Sequence, residues 1–406
     1  MKLEFIKILE SFMHDKEYTL PENFTNLVEL YQFSQKHHMM AAVYEQIHKS
    51  TVWQKPEYAN LLTAWKGQTV RDVIVQMQKT EGFLALYEKL GQAGITPLVV
   101  KGVICRSLYS KPDYRISGDE DILLPKEQFA ECDRILLEEG FHREELDAEN
   151  LPYEIPYINR QNGVYIELHF SLFPEESGAY GHLNEEFKEV FAHKGCETVQ
   201  GRKVWTLSPT EHFFYLICHS FKHFLHSGFG MRQVCDMVMM AEKYGEQIDW
   251  EDIAARLKRL NMNLYWDALV KIGTEYLGFS LEKAHYPEAM QNPEVDMEPL
   301  LNDLLDSGIY GDSSMERKHS SNITLAAAEG GRADTTASLK ASLYPGKKYM
   351  QGSFPWLEKN PRQLPAAYGI RITRYLKNSK TQKDEKNSVE IGMGRVELMR
   401  QYHIID

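Results

Sequence analysis

The chain has 406 residues, of which 43% are hydrophobic and 26% are charged, and its formal net charge at pH 7 is −12. These proportions are ordinary for a globular protein, whereas the acidic charge disfavours long nucleic acids and anionic lipids, which bind basic surfaces. No apolar run approaches the ~20 residues of a membrane span, and the charged start is typical of an amphipathic helix, so we expect a cytoplasmic protein with no membrane partner.

Residues 1–93 are predicted to form an N-terminal helical region. Apolar side chains recur there at intervals of three and four residues, as in Phe5, Ile8 and Phe12, which is the spacing of one helix face. A long helix is expected from Thr69 to Leu90, and the glycines that follow end it.

Between residues 94 and 206 the pattern changes to short apolar strands that alternate with helices, which predicts a small α/β core. The expected strands are 95–100, 115–124 and 164–170, with helices at 103–109 and 127–139.

The remainder is predicted to be helical at both ends of a polar stretch. Ser208-Pro209-Thr210-Glu211 is a helix-start pattern and opens a helical domain over 207–308. Residues 309–340 are rich in Gly, Ser and Ala and are expected to form a long polar loop, for which mobility is a further expectation. Residues 341–406 form a closing segment, a solvated linker at 377–388 and a last short helix. The fold class is therefore α+β, with a small mixed sheet flanked by helical regions.

An acidic stretch inside the predicted core carries the main chemical signal. In an extended strand alternate side chains share a face, so Arg115, Ser117, Asp119 and Asp121 are expected to point the same way. The two aspartates would then stand about 7 Å apart. Their repulsion favours a cation between them, and Mg²⁺ (or Mn²⁺) prefers such oxygen ligands.

The strand at 164–170 offers a third carboxylate. Its apolar side chains alternate with Tyr165, Glu167 and His169, so these three share the polar face. If this strand lies beside the first, Glu167 completes a three-carboxylate cluster that binds metal and orients a triphosphate. Glu167, or Asp121 bridging to it, is also a candidate base for the attacking hydroxyl.

Several segments resemble one known family, the uncharacterised nucleotidyltransferases of the DNA polymerase β-like superfamily. The resemblance is carried by LVVKGVICRSLYSKPDYRISGDEDILL from residue 98 and by IELHFSLF from residue 166. Weaker similarity extends through LSPTEHFFYLICHSFKHF, MRQVCDM and the segment at 343–376, and the match as a whole covers residues 37–376.

This resemblance implies a nucleotidyltransferase core with metal ligands at Asp119, Asp121 and Glu167, and phosphate contacts at Lys101 and Gly102. Three departures stand out: Glu120 where an apolar residue is usual, Val103 after the glycine, and Glu rather than Asp as the third acid. The full set of nucleotide-binding candidates is Lys101, Gly102, Arg115, Ser117 and Gly118.

A histidine stripe is predicted on the helix that starts at Ser208. His212, His219, His223 and His226 fall within an arc of about 60° at the α-helical repeat. One reading is a polar wall facing the active-site cleft, formed by His169, His219, Lys222 and His223. The alternative is a hydrogen-bonded helix interface. A transition-metal site is less favoured, since the Glu of a zinc-protease motif is missing.

The sequence predicts different roles for two arginines. Arg232 and Asp236 lie four residues apart, which suits a structural ion pair within one helix. Arg115 shares the predicted face of the aspartates and is a candidate for contact with a triphosphate, with an ion pair to a site carboxylate as its alternative.

The leading hypothesis is Mg²⁺-dependent transfer of a nucleoside monophosphate from an NTP, such as ATP, to a small-molecule or protein acceptor, with release of pyrophosphate. One alternative is a non-catalytic nucleotide- or protein-binding module on the same fold. Glu120 and the altered glycine motif support it. A metal-dependent phosphohydrolase is the other.

Overall fold

The computed structural model describes residues 1–146, 152–308, 315–330, 350, 354, 356–377 and 379–406. The chain divides into two units by its internal contacts. The first comprises Met1–Cys218, Met231–Arg256 and Leu269–Glu294, and the second comprises His219–Gly230, Leu257–Ala268 and Val295–Asp406.

Four helices build the start of the first unit, as predicted: α1 (Lys2–Met13), α2 (Leu27–Lys36), α3 (Met40–Ile47) and α4 (Ala59–Gln92). Helix α4 begins at Ala59, ahead of the predicted Thr69. The buried Trp65 explains the extra turns, because its indole N–H donates to the Met40 carbonyl at 3.1 Å and ties this part of the helix to α3.

A five-stranded mixed sheet forms the centre of the first unit. Its strands are β1 (Leu98–Val99), β2 (Glu120–Leu123), β3 (Phe141–His142), β4 (Glu154–Asn159) and β5 (Tyr165–His169), in the order β1-β2-β5-β4-β3. Among the described strands of this sheet, β2 and β5 are the one pair that runs parallel. Ile166 and Leu168 are fully buried in the core beneath the sheet, which confirms the predicted alternation along this strand.

The predicted strand at 115–124 is shorter in the structure, since β2 starts only at Glu120. A 3-10 turn at Pro112–Tyr114 precedes it. The amide of Ser117 donates to Gln76 Oε1 at 2.9 Å, so a side chain of α4 takes the place of a neighbouring strand. Arg115 and Ser117 therefore do not belong to the strand that carries Asp121.

A two-stranded hairpin, β6 (Lys194–Val199) and β7 (Arg202–Leu207), was missed. Its turn residues Gln200 and Gly201 both have positive φ, 47° and 79°. Such a two-residue turn matches the twist of paired strands, and the glycine supplies one of the two left-handed conformations at no steric cost.

Short helices complete the first unit and lead into the second. They are α5 (Val103–Arg106), α6 (Phe129–Glu138), α7 (Pro209–Leu225), α8 (Met231–Tyr244), α9 (Trp250–Arg259), α10 (Asn263–Tyr276) and α11 (Glu298–Ser307). The predicted start of α7 is confirmed, because the Glu211 amide donates to the Ser208 hydroxyl at 3.4 Å. None of the helices in the described ranges combines the length and the apolar character that a membrane span requires.

The second unit corrects two expectations. Residues 315–328, placed in a polar loop, form helix α12 (Met315–Ala328), and the predicted linker at 377–388 largely belongs to α14 (Ser379–Gln401), which follows α13 (Leu364–Lys377). Packing overrides composition here: Ile323 is buried against Gly392, where a side-chain Cβ would lie 2.8 Å from Ile323 Cδ1. Residues 309–314 and 331–349 lie outside the described residues.

Candidate active site

The parallel pairing of β2 and β5 brings the predicted acids together. Asp121 lies opposite Glu167, and Leu123 lies opposite His169. One potential ligand atom from each of Asp121, Glu167 and His169 lies within 4.8 Å of the others. His169 Nε2 is 3.3 Å from Asp121 Oδ1 and 3.9 Å from Glu167 Oε2. A polar cluster with two carboxylates and one imidazole thus stands on the polar face of the sheet.

Lys101 supplies the positive charge of this cluster. Its Nζ lies 3.0 Å from Asp121 Oδ2. Although burial opposes both charged forms, the Lys101 ammonium lowers the pKa of Asp121, and the charges of Asp121, Asp119 and Glu167 raise the pKa of Lys101. Both side chains are therefore ionised at neutral pH, and a cation already sits beside the acids.

Glu167 is the acid of this cluster whose pKa is raised. Burial, together with the negative charges of Asp121 and Asp119, raises its pKa from 4.5 to about 8. At Glu167 the repulsion by the two aspartates exceeds the attraction of Lys101. A divalent cation would relieve this repulsion, and the donor set of carboxylate oxygens is one that Mg²⁺ and Mn²⁺ accept.

Asp119 is close to the cluster without being one of its three closest members. It precedes β2, is half-buried, and its charge acts on both Lys101 and Glu167. Glu154 on β4 was missed at the sequence level, although its Oε2 lies 3.9 Å from His169 Nδ1. The alternation of β4 alone could have suggested it, but only knowledge that β4 pairs with β5 places it at the site.

Glu120, the residue that departs from the family pattern, organises the loop that carries Lys101. Its Oε2 accepts from the Val103 amide at 2.7 Å, and its Oε1 accepts from Arg106 Nη2 at 2.5 Å. The carboxylate thus holds the first turn of α5 and a buried arginine together. This contact explains why a buried position of β2 tolerates an acid.

The same contact requires glycine at position 102. Gly102 has φ of +53°, and a Cβ there would lie 2.0 Å from Glu120 Oε2. Gly118 differs, because a Cβ at that position meets no atom within 4 Å. Only the first of these two predicted nucleotide-binding glycines is therefore demanded by the fold itself.

We expect Gly102→Ala to lower the free energy of unfolding by about 2–4 kcal/mol, the sum of backbone strain and overpacking. Gly118→Ala is the matched control and should change it by less than about 0.5 kcal/mol. Urea denaturation of the two variants checks this. Equal losses for both would contradict the proposed clash with Glu120.

Arg115 and Ser117 both have protein partners, and their contact with phosphate stays a prediction. Arg115 Nε donates to Asp236 Oδ1 at 3.0 Å and Nη2 donates to Oδ2, while the Ser117 hydroxyl accepts from Arg106. Both side chains are buried. The expectation that Arg115 shares the face of the aspartates is wrong, because residue 115 precedes the strand and its guanidinium is drawn to α8.

The contacts of Asp236 also bear on the predicted ion pair with the second arginine, Arg232. The predicted pair within α8 is wrong in its partner: Asp236 accepts from Arg115 and from the Tyr109 hydroxyl at 2.8 Å. Arg232 instead donates to the Ile116 carbonyl at 2.6 Å. It therefore lies beside the segment that leads into Gly118 and Asp119.

The histidine stripe divides between the two units. His212 is buried in the first, where Nε2 lies 2.7 Å from the Val100 carbonyl, and burial lowers its pKa to about 4. It is a neutral, structural histidine. His219 and His223, whose Nε2 atoms are 3.2 Å apart, belong with Lys222 and His226 to the second unit. The role of His219, Lys222 and His223 as a cleft wall stays a prediction.

A family model described as an uncharacterised nucleotidyltransferase matches residues 25–275. No curated protein matches the chain, and no solved structure does.

Proposed function

Since the chain belongs to the family of uncharacterised nucleotidyltransferases, we propose that it transfers a nucleoside monophosphate from an NTP to a hydroxyl or phosphate group of an acceptor. The observation that carries the proposal is the parallel pairing that sets Asp121 opposite Glu167, with Lys101 at 3.0 Å from Asp121. In the reaction the acceptor oxygen forms a bond to the α-phosphorus, and the bond from that phosphorus to the bridging oxygen breaks. Pyrophosphate leaves with the bond electrons.

Asp121 and Glu167, joined by Asp119, are the residues that would hold Mg²⁺ or Mn²⁺. The bound ion would neutralise phosphate charge and orient the triphosphate. His169, 3.3 Å from Asp121 Oδ1, orients that carboxylate or takes a ligand position itself. The raised pKa of Glu167 is consistent with this assignment, since burial and the charges of Asp121 and Asp119 both disfavour a bare carboxylate there.

Two of the chain's own groups act on the substrate in this proposal. Lys101 leaves Asp121 and binds phosphate oxygens, a role for which its compact ammonium group is suited. Glu167 accepts the proton of the attacking hydroxyl, and its pKa of about 8 is close to the value that suits a base near neutral pH. Asp121, which lies opposite Glu167, is the second candidate for that role.

A cavity of about 590 Å³ at the end of β2 is our candidate for the acceptor site. It reaches Leu123, which follows Asp121 by two residues on β2 and so shares its face. Its volume lies in the range of small-molecule pockets. The walls combine apolar and polar groups, among them Phe170, Leu172, Phe187, His182 and Lys188. An acceptor of metabolite size, with apolar as well as polar groups, fits this lining.

Pyrophosphate release from each NTP tests the proposal, with Mg²⁺ or Mn²⁺ present and cell extract as the acceptor pool. We expect release together with transfer of label from the α-phosphate to an extract component. Release of orthophosphate would identify a phosphohydrolase instead. Nucleotide binding without release of either product would identify the non-catalytic module, whose support from Glu120 is weakened because that residue has a structural role here.

Metal affinity should depend on pH through Glu167. Its pKa in the metal-free protein is about 8, so below that pH a proton competes with the ion, and affinity for Mn²⁺ should rise about tenfold per pH unit and level off above pH 8. The metal-free fold should lose stability as pH rises from 4.5 towards 8, because the folded state binds the extra proton.

Titration calorimetry with Mn²⁺ on the wild type and Glu167→Gln measures the first effect, and urea denaturation at several pH values measures the second. Glu167→Gln should bind more weakly and lose both dependences. Glu131→Gln, on the exposed face of α6 and paired with Arg134, is the control that should keep them. An unchanged pH slope in Glu167→Gln would assign the titration to another group.

A further inference from the structure

Arg232 is a half-buried arginine on α8 whose buried Nε has no role in the proposed reaction. Its Nη1 donates to the Ile116 carbonyl at 2.6 Å. The acid one turn further along the helix, Asp236, is already engaged on both oxygens by Arg115 and accepts from Tyr109 as well. Among the described residues Arg232 Nε has no hydrogen-bond partner.

The charge of this guanidinium is poorly compensated. Burial and the neighbouring Arg115 lower the pKa of Arg232 to about 10, and the charges of Asp236 and Asp119 offset this only in part. A half-buried cation with a buried, unpaired Nε costs free energy that an approaching anion would offset. The free Nε and the remaining N–H groups offer an anion the planar donor edge that matches phosphate.

The position of Arg232 relates it to the metal cluster. Ile116 leads through Ser117 and the exposed Gly118 to Asp119, and the charge of Asp119 acts on both Arg232 and Glu167. At Gly118 there is open space, since a Cβ would meet no atom within 4 Å. A phosphate chain that passes over Gly118 could reach both the acids and the guanidinium.

We propose that Arg232 binds the phosphate chain of the NTP, on the Gly118–Asp119 side of the acids. Arg232 thus takes the role that the sequence had suggested for Arg115, whose guanidinium is held by Asp236. The inference rests on the proposed function, because it assumes that a triphosphate occupies this cluster.

Binding of inorganic tripolyphosphate with Mg²⁺ tests the inference without a choice of base or acceptor. We expect Arg232→Gln to weaken its affinity, measured by calorimetry, by about tenfold or more, the loss typical of a charge-assisted hydrogen bond. Arg232→Lys keeps the charge and a donor for the Ile116 carbonyl, so its loss should be smaller. Arg134→Gln, at an exposed position of α6, is the control and should leave the affinity unchanged.

A purely structural arginine would behave differently. Its removal would lower the melting temperature but leave tripolyphosphate affinity, measured well below that temperature, within twofold of the wild type, and this result overturns the inference. In a steady-state assay, Arg232→Gln should raise the KM for NTP and leave the KM for the acceptor unchanged. If the wild type releases pyrophosphate while Arg232→Gln binds normally, the proposed function stands and only the inference fails. No tripolyphosphate binding and no pyrophosphate release by the wild type would overturn both.

Discussion

Asp121→Asn should reduce the rate of pyrophosphate release by on the order of 10³-fold or more. A residue that binds the metal and orients the substrate lowers the activation free energy by several kcal/mol, and the variant loses this contribution. The reason lies in its position: Asp121 is opposite Glu167, 3.0 Å from Lys101 and 3.3 Å from His169. The amide keeps the volume but removes the charge that binds metal. The initial rate of release at saturating NTP and Mg²⁺ measures the effect.

Folding should survive this substitution. Removal of the charge from Asp121 costs the ion pair with Lys101 but relieves the repulsion that raises the pKa of Glu167. The control is Glu131→Gln, which also removes one carboxylate but outside the site, and its rate should equal that of the wild type. A rate for Asp121→Asn within tenfold of the wild type, from folded protein, would exclude a catalytic metal at this residue.

The sequence predicts the part of the site that follows from short-range periodicity along a strand. Alternation along residues 164–170 predicts that Glu167 and His169 share a face, and burial of Ile166 and Leu168 confirms it. Asp121 lies within the second predicted strand. The assumption that this strand lies beside the strand at 164–170 was therefore enough to predict that Asp121 and Glu167 are close together. The register that sets Asp121 opposite Glu167 came only from the structure.

The arginine partners could not be predicted in this way. Arg115 and Asp236 are separated by 121 residues, and the spacing of Arg232 and Asp236 pointed to a different pair. A buried acid takes the cation that the tertiary fold brings to it, and sequence spacing carries no information on that choice. Glu120 is a similar case: its acid departs from the motif, and the reason is tertiary, because Arg106 and the Val103 amide both donate to it.

Loss of the Arg115–Asp236 pair should destabilise the fold strongly. Both side chains are almost fully buried, and Asp236→Asn leaves the Arg115 charge without its counterion, which costs about 3–5 kcal/mol in comparable buried pairs. The double variant Arg115→Met/Asp236→Leu should lose less than Asp236→Asn, because it leaves no buried charge from this pair. Urea denaturation followed by tryptophan fluorescence gives these differences.

Asp133 offers a closely matched control. It too accepts from an arginine and a tyrosine, Arg143 and Tyr157, but it is more exposed than Asp236. Solvent screens the arginine left behind by Asp133→Asn, so the loss should be only about 1 kcal/mol. Equal losses for the two variants would mean that burial of the charge contributes little, and that hydrogen bonds to the tyrosine account for the stability of both sites.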